Sequence, residues 1–271
     1  MRRRSEPAAY APPVPSLDPG EIAALAGAGL VGGFVNAIAG GGSLIVFPVM
    51  VASGLGTLPA NVTNSVALWP GYIGNAVSLR DQIATQWREE RRRIALMCLL
   101  TVVGTVGGAL LLLVTPDAAF DAVVPVLVIA ATLLLGFGPR IKAKLGEGVT
   151  RDGALGGAVV VAGVYGGYFG GGLGVILLAV LGLTYAGGIR AQNALKALLQ
   201  IVVSTASLLV FVIGGPIDWT VVAVVAPAAL VGGFVGGRLT RSISETWLRR
   251  VVVVFGLAVG IWLAVRAIRG D

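Results

Sequence analysis

Long apolar stretches, separated by short polar connections, fill the chain from residue 20 to residue 267. A helix that crosses a bilayer needs about 20 mainly apolar residues. Eight stretches reach that length: 20–54, 60–79, 94–114, 119–137, 153–183, 189–213, 218–237 and 247–267. The pattern predicts an all-α membrane protein with eight hydrophobic segments. The first and fifth are too long for one simple crossing. Each is broken near its centre by three glycines, Gly40, Gly41 and Gly42 in one and Gly170, Gly171 and Gly172 in the other.

These two breaks open an internal repeat. The run from Phe34 to Gly42 lies over Val164 to Gly172 at an offset of 130. At an offset of 129, Asn64 lies over Asn193, and Gly104, Gly107 and Gly108 lie over Gly233, Gly236 and Gly237. Each half is a glycine-broken segment followed by three helices, an organisation typical of secondary transporters. The chain divides into a Pro-rich tail at 1–18 expected to be disordered, a first transmembrane repeat at 19–138, a basic cytoplasmic linker at 139–152 and a second transmembrane repeat at 153–271. Arg2, Arg3 and Arg4 imitate the start of a secretory signal. However, Pro12, Pro13, Pro15 and Pro19 intervene and the apolar stretch is too long for a signal core, so no cleaved signal is expected.

Loop charge bears on how the halves are oriented. Arg80, Arg88, Arg91, Arg92 and Arg93 follow the second segment, whereas the equivalent stretch from Gly214 to Ile217 has no Lys or Arg. Thr115 to Ala118 has none, whereas its equivalent carries Arg238, Arg241, Arg249 and Arg250. Matching connections therefore carry opposite bias, as expected of inverted repeats. Inversion requires an odd number of crossings per half, which follows if the first and fifth segments are re-entrant at their glycine triplets. Fourteen Lys and Arg then fall on one face and five on the other. The richer face is cytoplasmic by the positive-inside rule, with both termini external. Eight full crossings give the same ratio with both termini inside, so the count leaves both topologies open; the antisymmetry favours inversion.

Composition narrows the function classes. Charged residues make up 12% of the 271, against about a quarter in a soluble domain. The net charge of +7 sits in connections, so it reports topology rather than nucleic-acid binding. With no histidine and the single Cys98, the commonest general base and metal ligand are missing and no disulfide can form within one chain. No carboxylate lies in any span centre, which removes the usual proton relay. Ser43 has no base at comparable depth, so an intramembrane enzyme is not expected, and no cofactor is implied.

Three successive glycines unwind a helix cheaply and let other groups approach the backbone. Irregular backbone at membrane depth survives only against protein or a polar cavity. Helices starting near Ser43 and Gly174 would aim amides and partial positive charge at such a cavity, which suits an anion. Glycines four apart, such as Gly29 and Gly33 or Gly163 and Gly167, read instead as helix-packing positions. Asn193, Lys196, Gln200, Ser204 and Ser207 share one helix face. The matching helix carries Asn64, Asn75 and Ser78, with Ala67 opposite Lys196, and Thr63 and Gln192 flank the two stripes. Lys196 is the one charged residue deep in a span; it either meets an anion or snorkels to the nearby cytoplasmic end. Asn36, Tyr165 and Tyr168 flank the breaks as hydrogen-bonding groups. Pro70 is expected to kink its helix.

The run from Gly32 to Leu44, with Phe47-Pro48 and Asn61 to Asn75, resembles the first half of the sulfite exporter TauE/SafE family. Gly166 to Gly174, the Asn193–Lys196 helix and Gly232 to Gly237 resemble its second half. The resemblance covers about 20–267 and implies a multi-pass inner-membrane permease for sulfur-containing anions such as sulfite or sulfonates. It also implies hairpin-like first and fifth segments with the substrate near their unwound centres. The site residues expected are Asn36, Gly40, Gly41, Gly42, Ser43, Asn64, Tyr168, Gly170, Gly171, Gly172, Asn193, Lys196 and Gln200. The partners expected are a small anionic solute and the lipid bilayer, with a homodimer left open. A non-catalytic membrane scaffold is the alternative.

Overall fold

The fold is described from a computed structural model covering residues 17–145, 152–185, 188–239 and 245–269. Among them the chain forms eleven helices: α1 (Pro19–Ile38), α2 (Ser43–Ala52), α3 (Thr57–Ala67), α4 (Trp69–Ser78), α5 (Arg80–Val114), α6 (Asp117–Leu145), α7 (Asp152–Tyr168), α8 (Leu173–Thr184), α9 (Ile189–Gly214), α10 (Trp219–Leu239) and α11 (Glu245–Arg269). Six of them, α1, α5, α6, α9, α10 and α11, are long and apolar enough to cross a membrane. The tail expected at 1–18 lies outside the described residues up to residue 16, as does 146–151 of the linker. Asp18 already belongs to the fold: it caps α1 in a reciprocal box with Glu21, satisfying two amides of the first turn.

The kink expected at Pro70 is a full break, and two other expectations change. The second apolar segment is two short helices meeting at Leu68, because Pro70 enters α4 without an amide to continue the ladder. Its counterpart α9, with no proline at that place, runs unbroken. The arginine-rich stretch after it is not a loop but the first turns of α5, with non-helical backbone at Glu90 where the polar and apolar parts join. Helix also extends through 139–145 of the expected linker.

Helix contacts are built on glycine columns. A Cβ on Gly33 would lie 2.2 Å from the Ala229 carbonyl oxygen and one on Gly29 2.8 Å from that of Val225, so α1 and α10 touch backbone to backbone. Likewise Gly163, Gly167, Gly104 and Gly108 bring α7 equally close to α5. Lipid tails are as apolar as leucine, so such close packing, rather than a hydrophobic drive, holds helices together in a bilayer.

These contacts also fix direction. Gly29 meets Val225 and Gly33 meets Ala229, so α1 and α10 run the same way. Gly71 meets Ala229 and Gly237 meets Ser78, so α4 runs with α10 as well. Gly163 meets Thr101 and Gly167 meets Thr105, so α7 runs with α5. By contrast Gly256 meets Thr132 and Gly260 meets Ile129, making α6 and α11 antiparallel. After each break the chain turns back. Gly32 faces Val46 of α2, and Gly166 faces Leu173 of α8. The main bodies are α1, α4 and α10 on one side and α5, α7 and α9 on the other, each drawn from both halves of the sequence.

Gly33→Ala tests the columns, because the backbone carbonyl it would strike cannot rotate away. We expect about 1–3 kcal/mol of destabilisation, read as a lowered melting temperature in detergent. Gly27→Ala, with nothing within 4 Å, should melt like the parent. Equal melting of all three proteins would contradict the contact.

Candidate functional site

The breaks end their helices in the same way. The amides of Ala39 and Gly40 both bond the Val35 carbonyl, and those of Phe169 and Gly170 both bond the Tyr165 carbonyl, at residues 130 apart. Gly40 at φ +79° and Gly170 at φ +72° take the left-handed turn that terminates a helix without a Cβ penalty. The returning helices then differ. Gly42 enters α2 in ordinary helical geometry, whereas Gly172 enters α8 at φ +70°.

A helix that stops leaves its last carbonyls without amide partners. Each break takes a cap from the other half. Lys196 on α9 donates to the Ala37 carbonyl at 3.2 Å, and Asn61 on α3 donates to the Tyr168 carbonyl at 3.0 Å. Each break also has a staple six residues long. The Gly42 amide donates to Asn36 Oδ1 at 2.7 Å, and the Tyr165 hydroxyl donates to the Gly171 carbonyl. Fewer amides stay free at the helix starts than the sequence suggests: those of Leu44 and Ile45 bond Gly41 and Gly42, and those of Leu173 and Val175 bond Gly170 and Gly172.

The two breaks meet. A Cβ on Gly40 would lie 2.6 Å from the Gly174 Cα, and one on Gly174 would lie 2.9 Å from Gln200 Nε2. Beside the contact is a cavity of about 20 Å³ shared by both halves, with Ser43, Asn64, Tyr72, Gly170, Gln200, Ser204 and Ser207 among its walls. Phe169, which meets Phe47 edge-on at 5.8 Å, forms part of its apolar side. The space holds about one water. Asn64 Oδ1, both amide atoms of Gln200 and Ser207 Oγ are buried there without a protein partner. Buried polar atoms of this kind call for a ligand or an ordered water.

Of the residues expected at a site, Ser43, Asn64, Gly170 and Gln200 line this cavity, Asn36 and Gly42 staple one break, and Gly40 makes the contact between breaks. Lys196 lies one helical turn from Gln200. At 1% exposure it does not snorkel. The others sit elsewhere. The Tyr168 ring packs 5.9 Å from Phe120, leaving only its carbonyl to the break. Gly41 packs on Leu135 and Val252, Gly171 on the Phe169 ring and Gly172 on Ala131. Asn193 is half-buried and off the cavity wall. Sequence reasoning missed Asn61 and Tyr72 as site groups. Asn61 stands three residues before Asn64, a spacing that puts the two near one helix face, whereas Tyr72 lies past the break at Leu68, across which that spacing gives no signal. Tyr72 lines the cavity together with Ser43 and Asn64.

Six helices long and apolar enough to cross a membrane, one of them the first arm of a break, and a polar centre fed by both halves define a multi-pass membrane protein of the transporter class. The chain belongs to the Sulfite exporter TauE/SafE family, whose model matches residues 25–263. It is similar to the probable membrane transporter protein YfcA of Escherichia coli K12, with 28% identity over 234 residues covering 83% of this chain and 82% of that relative. A probable membrane transporter protein of Haemophilus influenzae is 27% identical over 231 residues, covering 83% and 88%. Another from Sinorhizobium sp., ORF9, is 28% identical over 238 residues, covering 87% and 89%. No solved structure matches the chain.

Asn61→Leu tests the crossed caps. It takes this donor from the Tyr168 carbonyl and should cost about 1–3 kcal/mol, seen as earlier thermal unfolding. A melting curve that superimposes on the parent's would mean the carbonyl is satisfied by another group.

Proposed function

We propose that the chain is a permease for small anions, of the sulfur-oxyanion kind, sited in the inner membrane and binding its solute where the two glycine breaks meet. The observation that carries this is the buried Lys196, bonded to the end of the first break and one helical turn from Gln200, whose amide atoms lack protein partners. Charge at membrane depth is costly and is kept where it serves a solute path. The family membership supports transport as the activity, and its description supports sulfite and related anions as the solute class.

We also read the halves as inverted, with the α1–α2 and α7–α8 pairs as re-entrant hairpins. Two independent features support this. Matching connections have opposite charge bias. In addition α1, α4 and α10 run the same way; eight full crossings would set α4 against α10. Both termini are then external. The cavity is too small for a sulfur oxyanion, so the conformation described is a closed one. Opening then requires the two helix bodies to part near Gly40 and Gly174.

The test is flux of sulfite into proteoliposomes. Lys196→Met should lower it at least tenfold, and Lys196→Arg, which keeps the charge, should retain most of it. Equal flux in the parent and Lys196→Met would remove the lysine from the site. A parent with no flux of any small anion would favour the scaffold alternative.

A further inference from the structure

We propose that the first turns of α5 form a seat for the headgroup of an anionic phospholipid, held by Arg80 and Arg88 beside Trp87. The inference needs only that the chain crosses a bilayer, so it stands apart from the permease reading.

Length comes first. α5 runs for 35 residues, from Arg80 to Val114. At 1.5 Å per residue that is about 52 Å, against roughly 30 Å of hydrocarbon. The surplus falls at its start, because the apolar stretch begins only at Ile94. The first turns therefore lie at the level of the headgroups. The non-helical backbone of Glu90, at φ −131° and ψ 38°, separates them from the spanning part.

One side of these turns is spent on the protein. The Tyr185 hydroxyl, just past the end of α8, donates to Glu90 Oε1 at 2.6 Å and stands 2.8 Å from Gln86 Oε1. Arg93 pairs with Glu90 at 3.0 Å. Tyr185 is 2% exposed, so this side is held against a buried ring. Steps of three and four residues join Arg80, Ile83, Ala84, Trp87 and Arg88 on another face. There Trp87 is 38% exposed, Arg80 and Arg88 are exposed, and Arg91 and Arg92 are exposed directly after the kink. Asp81 borders this face and approaches Arg80 at 3.7 Å, but both side chains stay largely in the open. Such a loose surface pair contributes little and yields to a stronger anion.

A basic helix face carrying tryptophan at the bilayer surface matches an interfacial helix resting on anionic lipid. Charge selects the occupant. A guanidinium takes a phosphate in two parallel hydrogen bonds. A choline headgroup brings its own cation against the arginines, whereas a glycerol headgroup leaves the phosphate charge uncompensated.

Native mass spectrometry of the purified full chain in detergent tests this. Titration with dioleoylphosphatidylglycerol or dioleoylphosphatidylcholine varies the headgroup charge at constant acyl chains. One arginine near an anionic surface is worth about fivefold in partition, so the parent should bind phosphatidylglycerol at least fivefold tighter. In the double variant Arg80→Gln, Arg88→Gln the preference should fall below twofold. The double variant Arg238→Gln, Arg250→Gln removes the same charge from the ends of other helices and should keep it. Melting curves in mixed micelles read the same effect without any substitution. Phosphatidylglycerol should raise the parent's melting temperature more than phosphatidylcholine does, and 1 M salt should erase the difference. Equal binding of the two lipids by the parent would overturn the seat and leave an acidic protein segment as the occupant of this face. A preference that survives Arg80→Gln, Arg88→Gln, or that falls as far in Arg238→Gln, Arg250→Gln, would overturn it as well.

Discussion

In hydrocarbon there is no water to take up a loose peptide group, and each one left unsatisfied costs several kcal/mol. That constraint bears on this structure because α1 and α7 both end within the helix bundle, where Ile38 and Phe169 are buried. Nearly every polar contact around them answers the carbonyls and amides so released. Left-handed Gly40 and Gly170 let the last turns close on Val35 and Tyr165. Asn36 and Tyr165 staple the unwound backbone from within their own halves. Lys196 and Asn61 reach across from the opposite halves. Neither repeat can finish its own break, so a polar centre exists only where the two come together.

Bringing them together demands thin helices. Where α1 meets α10 and α7 meets α5, an added methyl would strike carbonyl oxygens rather than the ends of flexible side chains. These seams have little give. They tie α1 of one half to α10 of the other, and α7 to α5, so the rigid bodies are not the sequence repeats. A movement that opens the centre cannot separate one repeat from the other as wholes. It has to pass between the two mixed bodies, where contacts are sparser and include the Trp69–Thr205 hydrogen bond and the Gly40–Gly174 touch.

Much of this was legible in the sequence, and for physical reasons. Apolar length reports spanning helices because the bilayer sets a minimum. Paired glycine triplets report breaks because few other residues tolerate them, and glycines four apart proved to be the seams. The polar stripe on α9 pointed to Gln200, Ser204 and Ser207 because buried polar groups on one face need a common neighbour. What stayed hidden depends on partners far along the chain. No local pattern says that Lys196 meets Ala37, 159 residues away, or that Asn61 meets Tyr168. Tyr168 looked like a donor to the centre, yet its ring has a better apolar partner in Phe120. The arginines at 80–93 looked like a loop because charge usually marks one, while their alternation with Glu89 and Glu90 suits an exposed helix.

The cap on α1 gives the proposed permease a way to sense its solute. A buried ammonium bonded to a neutral carbonyl holds that helix end in place, but the bond is weaker than one between the same ammonium and an anion. On the permease reading, an anion entering beside Gln200 therefore competes with Ala37 for Lys196. Whatever share of the ammonium it takes, the α1 terminus loses. The other break, capped by the uncharged amide of Asn61, feels no such pull. Loading would then loosen one hairpin and leave the other fixed, so two halves alike in sequence would respond differently to the same ion. The asymmetry is already present at rest, where Gly172 is left-handed and Gly42 is not.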